Sequence, residues 1–346
     1  MSKVMFNYFF LSGFCLCGSL SGYAQLATFP FQLKDKNILI KAKVNNSDSL
    51  DLIFDTGSTA TLIDSLTAEQ FGIGKENRQV VETVGSGGSR NYLMATQQEI
   101  QLPQHIRLSG IDVILMNFSK LESATGKKMK GIIGYDLLSK YVTSFDFDRK
   151  CISLFHQIQE VDTTAYTGIP FEFSKGIQIP RFPVTITTQG NKQFTGKVMF
   201  DSGASLSLFI SAPFKNFHHL NTEIGPSKLV KGRGLNGSTT DQKATIKSMH
   251  FYGFHVGQMG ISLAVDDQAE KKDGYLGLLG LDIIRRFNVI IDYPNHKIFL
   301  KPNNYYHMPF LSSIYEDKNF YLSDCACFLN CGESGSCAGI LRYLHS

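Results

Sequence analysis

Leu52-Ile53-Phe54-Asp55-Thr56-Gly57-Ser58 is an apolar run that ends in an Asp-Thr-Gly triplet. Val198-Met199-Phe200-Asp201-Ser202-Gly203-Ala204 has the same design, with Ser in place of Thr. One such triplet is ordinary, because Asp, Thr and Gly are common turn residues. A matched pair, each delivered by a strand-like run, is poorly explained that way. Asp201 follows Asp55 by 146 residues, as Ser202 follows Thr56. Gly131-Ile132-Ile133-Gly134-Tyr135-Asp136 and Gly277-Leu278-Leu279-Gly280-Leu281-Asp282 repeat at the same spacing, and so do Asp146 and Asp292. The chain reads as a duplication in which each half presents one carboxylate in the same setting.

The chain has 346 residues, 43% hydrophobic and 18% charged, which is the composition of a globular protein with room for two cores. The net charge of +4 is small, and Lys and Arg are scattered, so no nucleic-acid partner is expected. Lys3, the mostly apolar run from Val4 to Leu20, and Gly22-Tyr23-Ala24 read as a secretory signal peptide over residues 1–24. An uncleaved anchor is the competing reading, since the apolar run approaches spanning length. Asn7, several Ser and Gly residues and the small-residue site favour cleavage. The mature protein is expected to be periplasmic or secreted, with no membrane attachment after cleavage. Cys15 and Cys17 leave with the signal, and Cys151 is expected to be a buried free thiol. Cys325, Cys327, Cys331 and Cys337 crowd the C-terminus. Two disulfides are expected there, with three connectivities open. Zinc is the competing reading, but the spacing does not match the usual paired knuckles.

The periodicity predicts many short strands. Asn37 to Val44 alternates Ile38, Ile40, Ala42 and Val44 against Leu39, Lys41 and Lys43, as a half-buried strand does. Leu50 to Phe54 returns from a turn and delivers Asp55. Ser65 to Phe71 reads as a short helix, capped by Asp64 or Ser65 and stopped by Gly72. Val80 to Tyr92 reads as a hairpin with a mobile Gly-rich tip, and Leu229 to Asp241 as its counterpart. Gly131 to Tyr141 reads as a turn followed by a short helix, and Ala212 to Leu220 as one helix. The expected fold class is all-β: two homologous small barrel lobes related by a pseudo-two-fold axis, with few short helices. The lobes are placed at residues 25–160 and 161–303, followed by a Cys-rich tail of unknown role at 304–346.

Asp55-Thr56-Gly57-Ser58 and Asp201-Ser202-Gly203-Ala204 resemble the active-site motifs of aspartic peptidases. Ile132-Ile133-Gly134 and Leu278-Leu279-Gly280 resemble the apolar-apolar-Gly element that passes beside each motif in that family. The short lobes look like the retroviral type fused in tandem. The resemblance implies catalysis by Asp55 and Asp201 on a water held between them, with no metal and no cofactor. It implies a monomer with an intramolecular pseudo-dimer and a peptide or protein substrate. It implies that Thr56 and Ser202 cross-link the two loops, and that Gly57 and Gly203 let each loop approach its partner. Ser58 and Ala204 differ, and a hydroxyl after the Gly can bond the adjacent carboxylate in the family. On that ground Asp55 is expected to be the more acidic member and Asp201 the proton carrier. The Gly-rich hairpins match the family's flaps in order, which places Gly85, Gly87, Gly88, Tyr92, Gly234 and Gly237 over the substrate.

Other chemistries find less support. Gly232-x-Gly234-x-x-Gly237 fits a dinucleotide fingerprint on paper but sits in a β-rich half, at the flap position. His218-His219 reads as the solvated face of a polar helix, and no Gly-x-Ser-x-Gly elbow exists. The serious alternative is a catalytically inactive relative that keeps the fold as a peptide-binding or inhibitor module.

Overall fold

The computed structural model describes residues 25–85, 88–119, 122–123, 129–174, 176–234, 237–266, 271–310 and 342–343. The expected signal peptide and the four C-terminal cysteines lie outside the described residues. No helix among the described residues is long and apolar enough to cross a membrane.

Short strands dominate, with a few helices of one or two turns. The alternation read in the sequence decides which face each strand buries. In Asn37–Val44, Ile38, Ile40, Ala42 and Val44 are buried while Lys41 and Lys43 are exposed. Each large apolar side chain buried this way contributes roughly 1.5–3 kcal/mol.

The first half forms one sheet that runs Gln32–Lys34, Asn37–Val44, Leu50–Phe54, Gly131–Ile133, Thr61–Asp64, Arg107–Met116, Gly88–Gln101 and Arg78–Gly85, with Arg342–Tyr343 at the edge. Asn37–Val44 also pairs with Gly88–Gln101 through Lys43–Gln101 and Val44–Ile100, which closes the sheet on itself. The second half forms a sheet of its own. Its sheet runs Lys228–Gly234, Gly237–Ile246, Met259–Ala264, Leu208–Ile210, Tyr275–Leu279, Gln193–Phe200, Ile177–Thr187, Ser248–Phe251 and Phe254–Val256. Only Lys247 separates Gly237–Ile246 from Ser248–Phe251, so the pairing of Ser248–Phe251 with Ile177–Thr187 closes this sheet in the same way.

A third sheet of six strands joins the halves. Ala27–Pro30, Cys151–Phe155 and Val142–Asp146 come from the first, and Phe287–Asp292, Lys297–Pro302 and Thr167–Pro170 from the second. The seam pairs Val142–Asp146 with Phe287–Asp292 antiparallel, and Ser144 faces Ile290. Phe29-Pro30-Phe31 and its echo Ile169-Pro170-Phe171 mark the two outer edges.

Most local expectations hold. Ser65–Phe71 is a helix, the Asp64 side chain caps it by accepting from the Thr67 N–H, and Gly72 ends it in the left-handed region at φ 66°. Four readings need correction. Gly131–Ile133 is a strand, because it is flanked on both sides by strands and completes the ladder that reaches Asp55. The expected helix at Ala212 is two, Ala212–Phe217 and Leu220–Glu223, because His219 adopts a left-handed φ of 52° between them. His218 is only partly solvated: its ring packs on Phe194, Phe214 and Phe217, and its Nε2 meets Asp273 Oδ1 at 2.8 Å. Cys151 is a free thiol, but at the first position of its strand it is partly exposed rather than buried.

Candidate active site

The same local device delivers each aspartate. Leu50–Phe54 runs parallel to Gly131–Ile133, pairing Leu52 with Gly131, Ile53 with Ile132 and Phe54 with Ile133. Gln193–Phe200 runs parallel to Tyr275–Leu279, pairing Val198 with Gly277, Met199 with Leu278 and Phe200 with Leu279. One more ladder bond holds each catalytic-candidate residue: Asp55 N–H donates to Ile133 O at 2.9 Å, and Asp201 N–H to Leu279 O at 3.0 Å. The chain then turns, because the next carbonyls are taken up locally. Ser58 O accepts from Tyr135 N–H at 3.0 Å, and Ala204 O from Leu281 N–H at 2.8 Å. Gly134 allows that closeness, since a Cβ there would sit 2.0 Å from Asp55 O. Asp136 adds a brace not foreseen from the sequence. Its Oδ2 accepts from Thr61 N–H at 2.9 Å and from Thr61 Oγ1 at 2.6 Å.

The two turns meet and lock. Thr56 N–H donates to Ser202 Oγ at 3.0 Å, and Ser202 N–H donates to Thr56 Oγ1 at 2.9 Å. Thr56 Oγ1 donates onward to Phe200 O at 2.7 Å, and Ser202 Oγ to Phe54 O at 3.1 Å. The expected cross-link of the loops by Thr56 and Ser202 is thus present as four bonds.

The lock brings the carboxyls together, both buried to 1% exposure or less. Gly203 N–H is shared between them, 2.9 Å from Asp201 Oδ1 and 3.2 Å from Asp55 Oδ1. Gly57 N–H donates to Asp55 Oδ1 at 2.7 Å, and Ala204 N–H to Asp201 Oδ1 at 3.0 Å. Neither glycine has room for a side chain. A Cβ on Gly57 would lie 2.6 Å from Asp201 Cγ, and one on Gly203 2.3 Å from Asp55 Cγ. Asp55 Oδ2 is buried and has no hydrogen-bond partner among the described residues.

Burial pushes the Asp55 carboxyl well above the usual carboxylate range. The Asp201 charge and a hydrogen bond with Asp201 push the same way, while the Gly57 and Gly203 amides oppose them. The Ser58 hydroxyl, expected to bond the adjacent carboxylate, instead donates to Ala60 O at 2.7 Å, and Asp55 Oδ1 accepts from backbone amides.

The flap residues fall where hairpins end. Gly85 pairs with Gly88, and Gly234 with Gly237, so these four close the two tips. Gly87 lies outside the described residues, as do Ser86 and residues 235–236. The expected mobility of the first tip therefore concerns undescribed residues. Tyr92 pairs with Val81, is half-buried, and packs on an apolar cluster that also holds Ile53 and Ile132. Among the described residues no group of His, Cys, Asp or Glu side chains is arranged to hold a metal ion.

The all-β fold with few short helices and the Asp-Thr-Gly turn define an aspartyl protease fold. Residues 40–137 match the family described as aspartyl protease, so this segment is of the aspartyl protease, retropepsin-like type. None of the curated proteins compared with the chain matches it. The family match identifies a hydrolase-type domain and covers Asp55 but ends before Asp201.

Proposed function

We propose that the protein is an aspartic endopeptidase in which Asp55 and Asp201 activate one water for attack on a peptide bond. The observation that carries this reading is the shared Gly203 N–H, which lies within 3.2 Å of an oxygen of each carboxyl. Two carboxylates about 4 Å apart repel by about 4 kcal/mol at an effective dielectric near 20. They therefore hold one proton between them over a broad range, as is established for aspartic-protease dyads. The raised Asp55 carboxyl supports that state.

The step follows from it. The ionised carboxylate takes a proton from the water, whose oxygen bonds to the scissile carbonyl carbon. The protonated carboxyl donates to the carbonyl oxygen. The tetrahedral intermediate collapses when the carboxyl that took the water proton gives it to the amide nitrogen, the C–N bond breaks, and a hydroxyl proton of the intermediate returns to the other carboxylate. The unpartnered Asp55 Oδ2 supplies an acceptor for the water. The amides at Gly57, Gly203 and Ala204 keep the pair oriented throughout.

A pseudo-two-fold relation between lobes at 25–160 and 161–303 is part of this reading. Thr56 with Ser202, and Ser144 with Ile290, are supporting pairs, each meeting across the middle at the repeat spacing. One chain then suffices for one site. A peptide or protein substrate and an extracytoplasmic setting belong to the same proposal; nucleic acid does not. The second reading, an inactive peptide-binding module, keeps the fold and lacks turnover. Cleavage of a random peptide library between pH 3 and 7 separates the two, with Asp55→Asn as the control.

A further inference from the structure

The floors beside the two aspartates differ in chemistry. In the first half, Met94, Ile114, Leu62, Ile132 and Ile53 stand in one row across five adjacent strands. The register pairs Met94 with Ile114, Ile114 with Leu62, Leu62 with Ile132, and Ile132 with Ile53. All five belong to one buried apolar cluster, which Tyr92 completes. Ile53 precedes Asp55 by two residues on an extended run, so the row lies on the face that carries the carboxyl.

The corresponding row in the second half is Lys243, Ser262, Phe209, Leu278 and Met199, by the register Lys243–Ser262, Ser262–Phe209, Phe209–Leu278 and Leu278–Met199. Phe209, Leu278 and Met199 again share an apolar cluster, and Met199 precedes Asp201 by two. The outer two positions are polar, and Lys243 Nζ donates to Ser262 Oγ. Asp241 precedes Lys243 on the same strand face, where the first half has Tyr92 before Met94. Asp241 is buried, whereas Lys243 is partly exposed and so is the group a ligand meets. A second cation comes from the other half. Ser205 Oγ donates to Lys36 O at 3.0 Å, and the Lys36 ammonium is close enough to disfavour the charge on Lys243. Burial acts most strongly in that direction, and Asp241 and Asp282 act against it.

Ser262 is buried beneath Lys243, so an apolar side chain laid on Lys243 would strip water from the ammonium and return no hydrogen bond. A carboxylate would accept one from the ammonium. We propose that the C-terminal floor selects an Asp or Glu side chain on one side of the scissile bond, through Lys243. The N-terminal floor takes a large apolar side chain on the other side. This rests on the peptidase reading for the word scissile, but the selectivity itself is a binding property.

The test uses matched fluorescent peptides with Leu fixed at one position and Glu or Leu placed at each following position. Wild type is assayed for cleavage, and Asp55→Asn for binding. Lys243→Met installs the residue that the first half carries in this row, and Lys243→Arg keeps the charge. The expected result is a preference for Glu of roughly tenfold or more at one position, reversed to Leu by Lys243→Met and kept by Lys243→Arg. Preference for Leu on both sides in wild type, or an unchanged preference in Lys243→Met, overturns the inference and leaves the peptidase reading standing. A Lys243-dependent preference in binding to Asp55→Asn, with no cleavage by wild type, upholds the inference and overturns the peptidase reading. Neither cleavage nor a preference in binding overturns both.

Discussion

Thr56 and Ser202 hold one another across the two halves: each backbone N–H donates to the other's hydroxyl oxygen, at 3.0 and 2.9 Å. Each hydroxyl spends its proton on a carbonyl at the end of the opposite strand, Phe200 O or Phe54 O. The exchange fixes the distance between the carboxyls of Asp55 and Asp201, which immediately precede the two residues. Thr56→Val leaves the buried Ser202 N–H without this acceptor and Phe200 O without this donor. The expected loss is about 2–4 kcal/mol, read by denaturant unfolding. A loss below about 0.5 kcal/mol would mean that the lock is not structural.

Gly203→Ala should inactivate without unfolding. Its Cβ would lie 2.3 Å from Asp55 Cγ, and the carboxyl has to move away. A displacement near 1 Å at a reacting group lowers turnover by about a hundredfold. Gly57→Ala, with its Cβ 2.6 Å from Asp201 Cγ, should act on the other carboxyl with the same result. Turnover within a few-fold of wild type for either variant would contradict the close approach.

The pH dependence of stability has a definite sign. The folded-state value of Asp55 is raised, mainly by burial and then by Asp201. Its contribution is fully present below the usual carboxylate range and is lost as pH rises through the folded-state value. Wild type should therefore lose stability relative to Asp55→Asn on going from about pH 4 towards neutrality. Thermal melts of both proteins across that window check this, and parallel curves would contradict it. Activity should fall in the same direction, as the shared proton leaves.

Ser58→Ala separates two accounts of asymmetry in the dyad. The sequence difference between Ser58 and Ala204 suggests a hydroxyl bonded to Asp55. The hydroxyl instead donates to Ala60 O at 2.7 Å. The variant should leave the acid limb of the activity profile unmoved and cost about 1 kcal/mol of stability. A moved acid limb would restore the original account.

How much was legible depends on whether a feature is local or lies across strands. Asp55 and Asp201 were visible because a turn triplet after an apolar run is contiguous, and because it recurs at a fixed spacing. The helix at Ser65–Phe71 was visible through its cap and its glycine stop. The Thr56–Ser202 lock came from family resemblance, since residues so far apart carry no local signal of contact. Gly131–Ile133 read as a turn because two residues between glycines show no periodicity, yet two neighbouring strands make it a strand. The Ser58 partner has a similar cause: which acceptor the hydroxyl meets, Ala60 O, is set by the folded loop. Lys243, Ser262 and Asp241 were missed altogether. Their position relative to Met94, Ile114 and Tyr92 exists only in the register of the sheets, and the strand spacing there departs from the repeat spacing by a few residues.

The central claim is that both carboxyls act on one water, and peptide-library turnover by wild type, Asp55→Asn and Asp201→Asn tests it most directly. The account predicts cleavage at acid pH by wild type and none above background by either variant. Equal turnover by wild type and a variant, or none by wild type, would contradict it.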